Sequence, residues 1–292
     1  MPCNSGAMSP RFALMVLACA WPLLLSCGAP SHGITAEAAA PTPARETTGL
    51  TSLGNSRHVR FGVPVDGNPS DDYLMDKGGY VLSYNRTRGS ANWVAWRLAA
   101  EDLGTTARAD DFHADNQVPP DFQRIMPSDY TRSGYDRGHL CPSAHRTKDE
   151  ATNSETFLMS NMLPQVHALN AGPWKGIETY ERELVTNDGK DVYVVAGGLF
   201  APTPKTIGHG VAVPIATFRV TIVVQPGSGP NDVSEVTPLL AVEMPNDASA
   251  KGRKWSDFRV SVDQVERDTG YDYFSEVPDE VEAKLEAQGP AR

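Results

Sequence analysis

The sequence predicts one α+β domain built on a central, largely antiparallel sheet. Three observations carry this: an aromatic-rich hairpin early in the folded region, one amphipathic helix midway, and apolar strands separated by turn residues after it. The folded region begins near Arg60-Phe61-Gly62-Val63-Pro64. Gly78–Tyr84 alternates faces as a strand does, Asn85–Asn92 is turn-rich, and Trp93–Leu98 reads as the returning strand. Asn85-Arg86-Thr87 matches a glycosylation sequon and reads as part of that turn. Pro173–Val185 reads as a helix, with Pro173 suited to its first position and Ile177, Tyr180 and Leu184 on one face. Asp191–Phe200, with Gly197-Gly198 near its end, reads as a buried strand. Val211–Val224 gives one or two more, and a loop at Gln225–Glu235 leads into a strand at Pro238–Met244. No internal repeat is visible, and 292 residues suffice for one sizeable domain or two small ones.

The chemistry concentrates in residues 134–147, around Asp136-Arg137-Gly138-His139. A carboxylate, a guanidinium, a glycine and an imidazole on consecutive residues resist burial unless they serve a wet site. Histidine is suited to take a proton near neutral pH, and arginine offers a planar fork of donors to a phosphate. Gly138 lets the backbone bring its neighbours together without a steric penalty. Downstream, Asn161 lies in Phe157-Leu-Met-Ser-Asn161, followed by Asn170 just ahead of the helix and by Glu178 and Arg182 upon it. Those last two are four apart and can support each other on the helix surface.

Several neighbours have plainer readings. Cys141 is expected to be a small buried hydrophobe, and His113 a solvated loop residue. His145, six residues beyond His139, lacks metal-ligand spacing and reads as a helix-start or loop histidine.

Asp136–His139 followed by Leu-Cys-Pro-Ser-Ala, then the order Asn161, Asn170, Glu178 and Arg182, resembles the DNA/RNA non-specific endonucleases of the ββα-metal (His-Me finger) type. The likeness spans residues 60–287, with one visible departure: His145 stands where relatives often have Asp. It implies a ββα-metal site within the α+β domain. It also implies an Mg²⁺-dependent endonuclease (Mn²⁺ being the alternative ion) acting on DNA and RNA. In that reading His139 is the general base and Asn170 the direct metal ligand. Glu178 orients metal-bound water. Arg108, Arg137 and Arg182 hold phosphate, with Lys148 and Lys175 as further candidates, while Asp136 and Asn161 support the site. Val260–Glu266 and Tyr271–Phe274 resemble the closing helix and strand. Two alternatives use the same residues: an exported phosphodiesterase with another substrate, and an interaction lipoprotein whose nuclease site is vestigial. Retention of all seven motif residues from Asp136 to Arg182 weighs against the second.

The amino terminus predicts export. Phe12–Leu25 is apolar and too short for a confident membrane span, so residues 1–27 read as a signal peptide. Leu24-Leu25-Ser26-Cys27 resembles a bacterial lipobox, which would anchor the protein to a membrane through a lipid on Cys27. The alternative is cleavage after Ala36-Glu37-Ala38, giving a periplasmic or secreted protein. Residues 28–59, rich in Ala, Pro and Thr, read as a disordered linker, and 288–292 as a tail. Cys3, Cys19 and Cys27 fall in the signal, so Cys141 would be alone and disulfide-free.

Charge argues against a broad electrostatic grip on nucleic acid and predicts weak non-specific affinity. The chain carries −10, and loss of residues 1–27, which hold Arg11 and no acid, leaves −11. Phosphate binding must then be local.

Overall fold

The computed structural model describes residues 53–289; the signal, the lipobox and most of the linker lie outside them. Seven strands form one sheet in the order β1-β2-β3-β6-β9-β10-β11, and every neighbouring pair is antiparallel. They are β1 (Tyr73–Asp76), β2 (Val81–Asn85), β3 (Ser90–Leu98), β6 (Asp191–Leu199), β9 (Ala216–Val224), β10 (Leu239–Pro245) and β11 (Arg259–Val260). Two-stranded ribbons join β4 (Asp136–His139) to β5 (Met162–Gln165), and β7 (Thr206–Ile207) to β8 (Val211–Ala212).

The expected hairpin is present, but β3 starts at Ser90, so the turn is shorter than the run Asn85–Asn92 implied. Within it the Asn85 side chain accepts from the backbone N–H groups of Thr87 and Arg88, so its amide shapes the turn.

Strand alternation gives the sheet two apolar faces. Leu82, Val94, Trp96, Val194 and Ala196 face one core with Leu169, Trp174 and Ile177. Val81, Trp93, Ala95, Val195 and Val220 face another, covered by Val262, Val265, Tyr273 and Leu285. Leu53 and Val59 are buried in this second core, so packing begins ahead of Arg60. At Gly197 a Cβ would meet the Asn92 carbonyl at 2.4 Å and the Phe218 ring at 2.6 Å, which explains a glycine in a central strand.

The mid-chain helix runs Lys175–Thr186. Pro173 is not its first residue. It lies in a π-type turn, Asn170–Trp174, in which Gly172 departs from helical geometry at φ −103°, ψ −117°. The kink at Gly172 separates the short turn that ends at Asn170 from the helix that carries Glu178. Tyr271–Phe274 is not a strand; Asp272 makes a single bridge to Val65. The helix Val262–Thr269 is capped by the Ser261 side chain, and a helix at Asp279–Glu286, absent from the sequence reading, closes the chain.

Candidate active site

The ribbon β4–β5 lays the motif in register, Asp136 opposite Gln165 and His139 opposite Met162. Gly138 acts here through closeness rather than flexibility. A Cβ on it would sit 2.3 Å from the Gln165 amide, which is fully buried. Two hydrogen bonds fasten β4 to the turn before the helix. Asn170 Nδ2 donates to Asp136 Oδ2 at 3.0 Å, and Trp174 Nε1 donates to the His139 carbonyl at 2.9 Å. Both ends of the four-residue motif are thereby tied to the element that carries Glu178.

The His139 ring packs edge-on against Phe157, centroids 4.9 Å apart, and lies 5.6 Å from Phe112. Each phenylalanine carries an arginine, with Arg108 4.7 Å over Phe157 and Arg137 4.8 Å over Phe112. Cation–π contact holds both guanidinium groups beside the imidazole. Arg108 also donates to Ser143 Oγ at 2.8 Å, and Arg137 to the Pro127 carbonyl at 3.2 Å. His139 is 8% exposed, and its Nε2 has no hydrogen-bond partner in the protein. Burial, aided by Arg108, lowers its pKa to about 3, so the ring is neutral at physiological pH. Beside Arg108 a cleft of about 900 Å³ opens along Thr105–Ala109, Asp111 and Glu150.

Glu178 projects from the helix with its side chain 14% exposed. Desolvation raises its pKa to about 7, against the opposing charges of Arg219, Arg182 and Arg108. Arg182 does not pair with the Glu178 carboxylate as the spacing implied. It donates to the Glu178 carbonyl at 3.1 Å and to Thr179 Oγ1 at 3.2 Å, held by its own helix. Its charge still reaches Glu178, and so does that of Arg108, which places the three in one electrostatic neighbourhood with His139.

Asn161 is fully buried and braces the loop after His139. Its Oδ1 accepts from Cys141 N at 2.9 Å, while Nδ2 donates to the Cys141 and Thr156 carbonyls, both at 2.8 Å. Cys141 is buried, with its thiol pushed up to about 12. His145 is neither a metal ligand nor a surface residue. It is fully buried, accepts from Trp96 Nε1 at 3.2 Å and donates from Nε2 to the Glu178 carbonyl at 2.9 Å. It therefore positions the turn of helix that bears Glu178.

Sequence reasoning missed several contributors. Phe112 and Phe157 wall the histidine; Phe157 stood within the quoted motif that leads to Asn161, and Phe112 lies four residues beyond Arg108. His167 Nδ1 lies 2.8 Å from Asp136 Oδ2, sharing with Asn170 the oxygen that sets the ribbon's start. Arg219 from β9 is buried between Trp96 and Trp174, at 4.9 and 4.7 Å. Its Nε is 3.1 Å from Glu181 Oε1, and its Nη1 is 3.9 Å from Glu178 Oε1. Its only sequence signal was one arginine inside the apolar run Ala216–Val224.

An antiparallel sheet, a two-stranded ribbon fastened to a helix, and a buried imidazole walled by two arginine-bearing phenylalanines make the arrangement of a ββα nuclease. Comparison with known proteins agrees. The family model for the DNA/RNA non-specific endonuclease matches residues 56–280. A nuclease of Nostoc sp. is 42% identical over 246 residues, covering 82% of this chain and 89% of that protein. Mitochondrial endonuclease G of Bos taurus is 33% identical over 232 residues, covering 72% and 74%. The crystal structure of an EndoG/EndoGI complex is similar with a TM-score of 0.65 at 28% identity, over 81% of this chain and 96% of that one. The chain belongs to the DNA/RNA non-specific endonuclease family and is a phosphodiester hydrolase acting on nucleic acid.

Proposed function

We propose that the chain is an Mg²⁺-dependent, sugar-non-specific endonuclease that cuts both DNA and RNA, with His139 as general base. The state of His139 carries this reading. A buried, neutral imidazole with an unpartnered nitrogen, flanked by two arginines, is built to accept a proton next to a phosphate. Burial is the larger cause of the low His139 pKa and Arg108 the smaller; an anionic phosphate beside the ring would act in the opposite direction and raise it.

In the reaction, His139 takes a proton from water as the water oxygen attacks phosphorus and the bond to the leaving oxygen breaks. Arg108, Arg137 and Arg182 hold and neutralise the phosphate. The donor set fits a hard divalent cation. Asp136 occupies Asn170 Nδ2, leaving Oδ1 as the acceptor, and Glu178 is a carboxylate whose proton a nearby cation would displace. Asn170 would hold the ion directly, and Glu178 would orient its waters. When bound, Mg²⁺ or Mn²⁺ supplies neutralisation of charge on the phosphorane and the leaving oxygen. Plasmid DNA and RNA incubated with and without Mg²⁺ test the reading. Cleavage of both only with the ion is expected, and a protein inert toward both polymers, or active in EDTA, would contradict it.

We also propose that the enzyme is exported as a lipoprotein, on the strength of Leu24–Cys27. Fractionation should find it in membranes, and Cys27→Ser should release it or leave it unprocessed. A wild type wholly soluble, with its amino terminus beyond residue 28, would remove this proposal.

A further inference from the structure

The face of the sheet away from His139 holds a second concentration of charge. Asp263 and Glu266 are three apart on the helix Val262–Thr269, and Glu282 and Glu286 four apart on the helix Asp279–Glu286. The two helices bring carboxylate oxygens of Asp263, Glu266 and Glu286 within 4.8 Å of one another. Among the described residues, no ion pair reaches any of these four acids. Glu286 is 6% exposed, and its Oε1 is buried without a hydrogen-bond partner, as is Oε1 of Glu282. Glu266 Oε1 accepts from Tyr273 N at 3.0 Å, which fixes that carboxylate in place. A buried carboxylate facing others with no cation is costly unless something positive meets it. Burial, with Glu266 and Glu282 next in effect, pushes the Glu286 carboxyl up to about 9.

We propose that Asp263, Glu266 and Glu286 bind a divalent cation of the calcium type, which clamps the C-terminal helix to the helix Val262–Thr269. The donors are all carboxylate oxygens, with no imidazole or thiolate to favour zinc. Three carboxylates supplied by the protein suit Ca²⁺, which takes roughly 6–8 oxygen ligands in flexible geometry, better than Mg²⁺, which usually keeps several waters and one or two carboxylates. The site sits under the second core, with Val262, Val265 and Leu285, so its role is to hold the fold rather than to cut phosphodiesters.

Thermal unfolding of EDTA-treated protein, with and without CaCl₂, tests the proposal in the wild type, in Asp263→Asn/Glu266→Gln and in Glu286→Gln. Wild type should gain roughly 5 °C or more in Tm at a hundred-fold excess over Kd. Both variants should lose that gain, and calorimetry should count one Ca²⁺ fewer than in wild type. Glu286→Gln should melt at or above the wild type without calcium, because the amide is neutral without having to take up a proton, and should cut plasmid at the wild-type rate. Variants that keep the full calcium gain would assign it to the catalytic site and overturn the proposal. A wild type indifferent to calcium would overturn it too, leaving a proton alone on Glu286.

Discussion

His139→Ala should lose turnover by roughly a hundred-fold or more, the usual scale for a positioned acid or base, while still binding Mg²⁺ and substrate. Its residual rate should climb with pH, because hydroxide replaces the missing base. Asn170→Ala should fail differently: raising Mg²⁺ should restore part of the rate, because the defect lies in holding the ion. Wild type adds a pH signature. With a pKa of about 3, set by burial and Arg108, His139 stays deprotonated far below the ordinary histidine range. It therefore imposes no fall in kcat/KM until well under pH 6.5. Glu178 is the group near 7, and it must be ionised to orient metal-bound water. A cation favours that ionised form, so any acid limb near neutrality should move to lower pH as Mg²⁺ rises. Steady-state rates across pH and Mg²⁺ concentration decide the matter. Rescue of His139→Ala by excess Mg²⁺, with Asn170→Ala left inactive, would show the roles reversed.

The residues these experiments address were readable because they are local. Four motif residues are consecutive, Glu178 and Arg182 are one helical turn apart, and the strands alternate visibly. The first hairpin was legible for the same reason, since its short turn leaves few partners for an antiparallel strand, whereas the pairing of β3 with the distant β6 was not. What stayed hidden depends on contacts between distant segments. His145 read as a helix-start or loop histidine, and nothing local shows that Trp96 and the Glu178 carbonyl saturate its ring. Pro173 looked like a helix start because the π-type turn that absorbs it is set by Asn170 and Trp174 bonding to β4. The aromatic walls at Phe112 and Phe157 belong to loops 45 residues apart in sequence, joined by a parallel bridge between His113 and Leu158.

Arg219 is the furthest such case, and its removal should have the largest effect on stability. It is fully buried, stacked between two tryptophans, and faces Glu181 and Glu178 from the neighbouring helix. Glu181 is itself fully buried, with Thr221 Oγ1 donating to its Oε1 at 2.8 Å. Desolvation already raises both carboxyls, and Arg219 is the largest influence lowering them. Arg219→Leu should therefore cost about 3–5 kcal/mol near neutral pH, the range for removing one partner of a buried ion pair. The pH dependence separates charge from packing. Without Arg219 the folded-state pKa values of Glu178 and Glu181 rise further above those of the unfolded chain. The native state then holds protons that the unfolded state has released, so stability falls as pH rises through that window. Urea unfolding should show a small penalty at pH 5, where the carboxyls are protonated, and a much larger one at pH 8. An equal loss at both values would mean that Arg219 serves as a spacer between Trp96 and Trp174. The two glutamates would then owe their ionisation to something other than its charge.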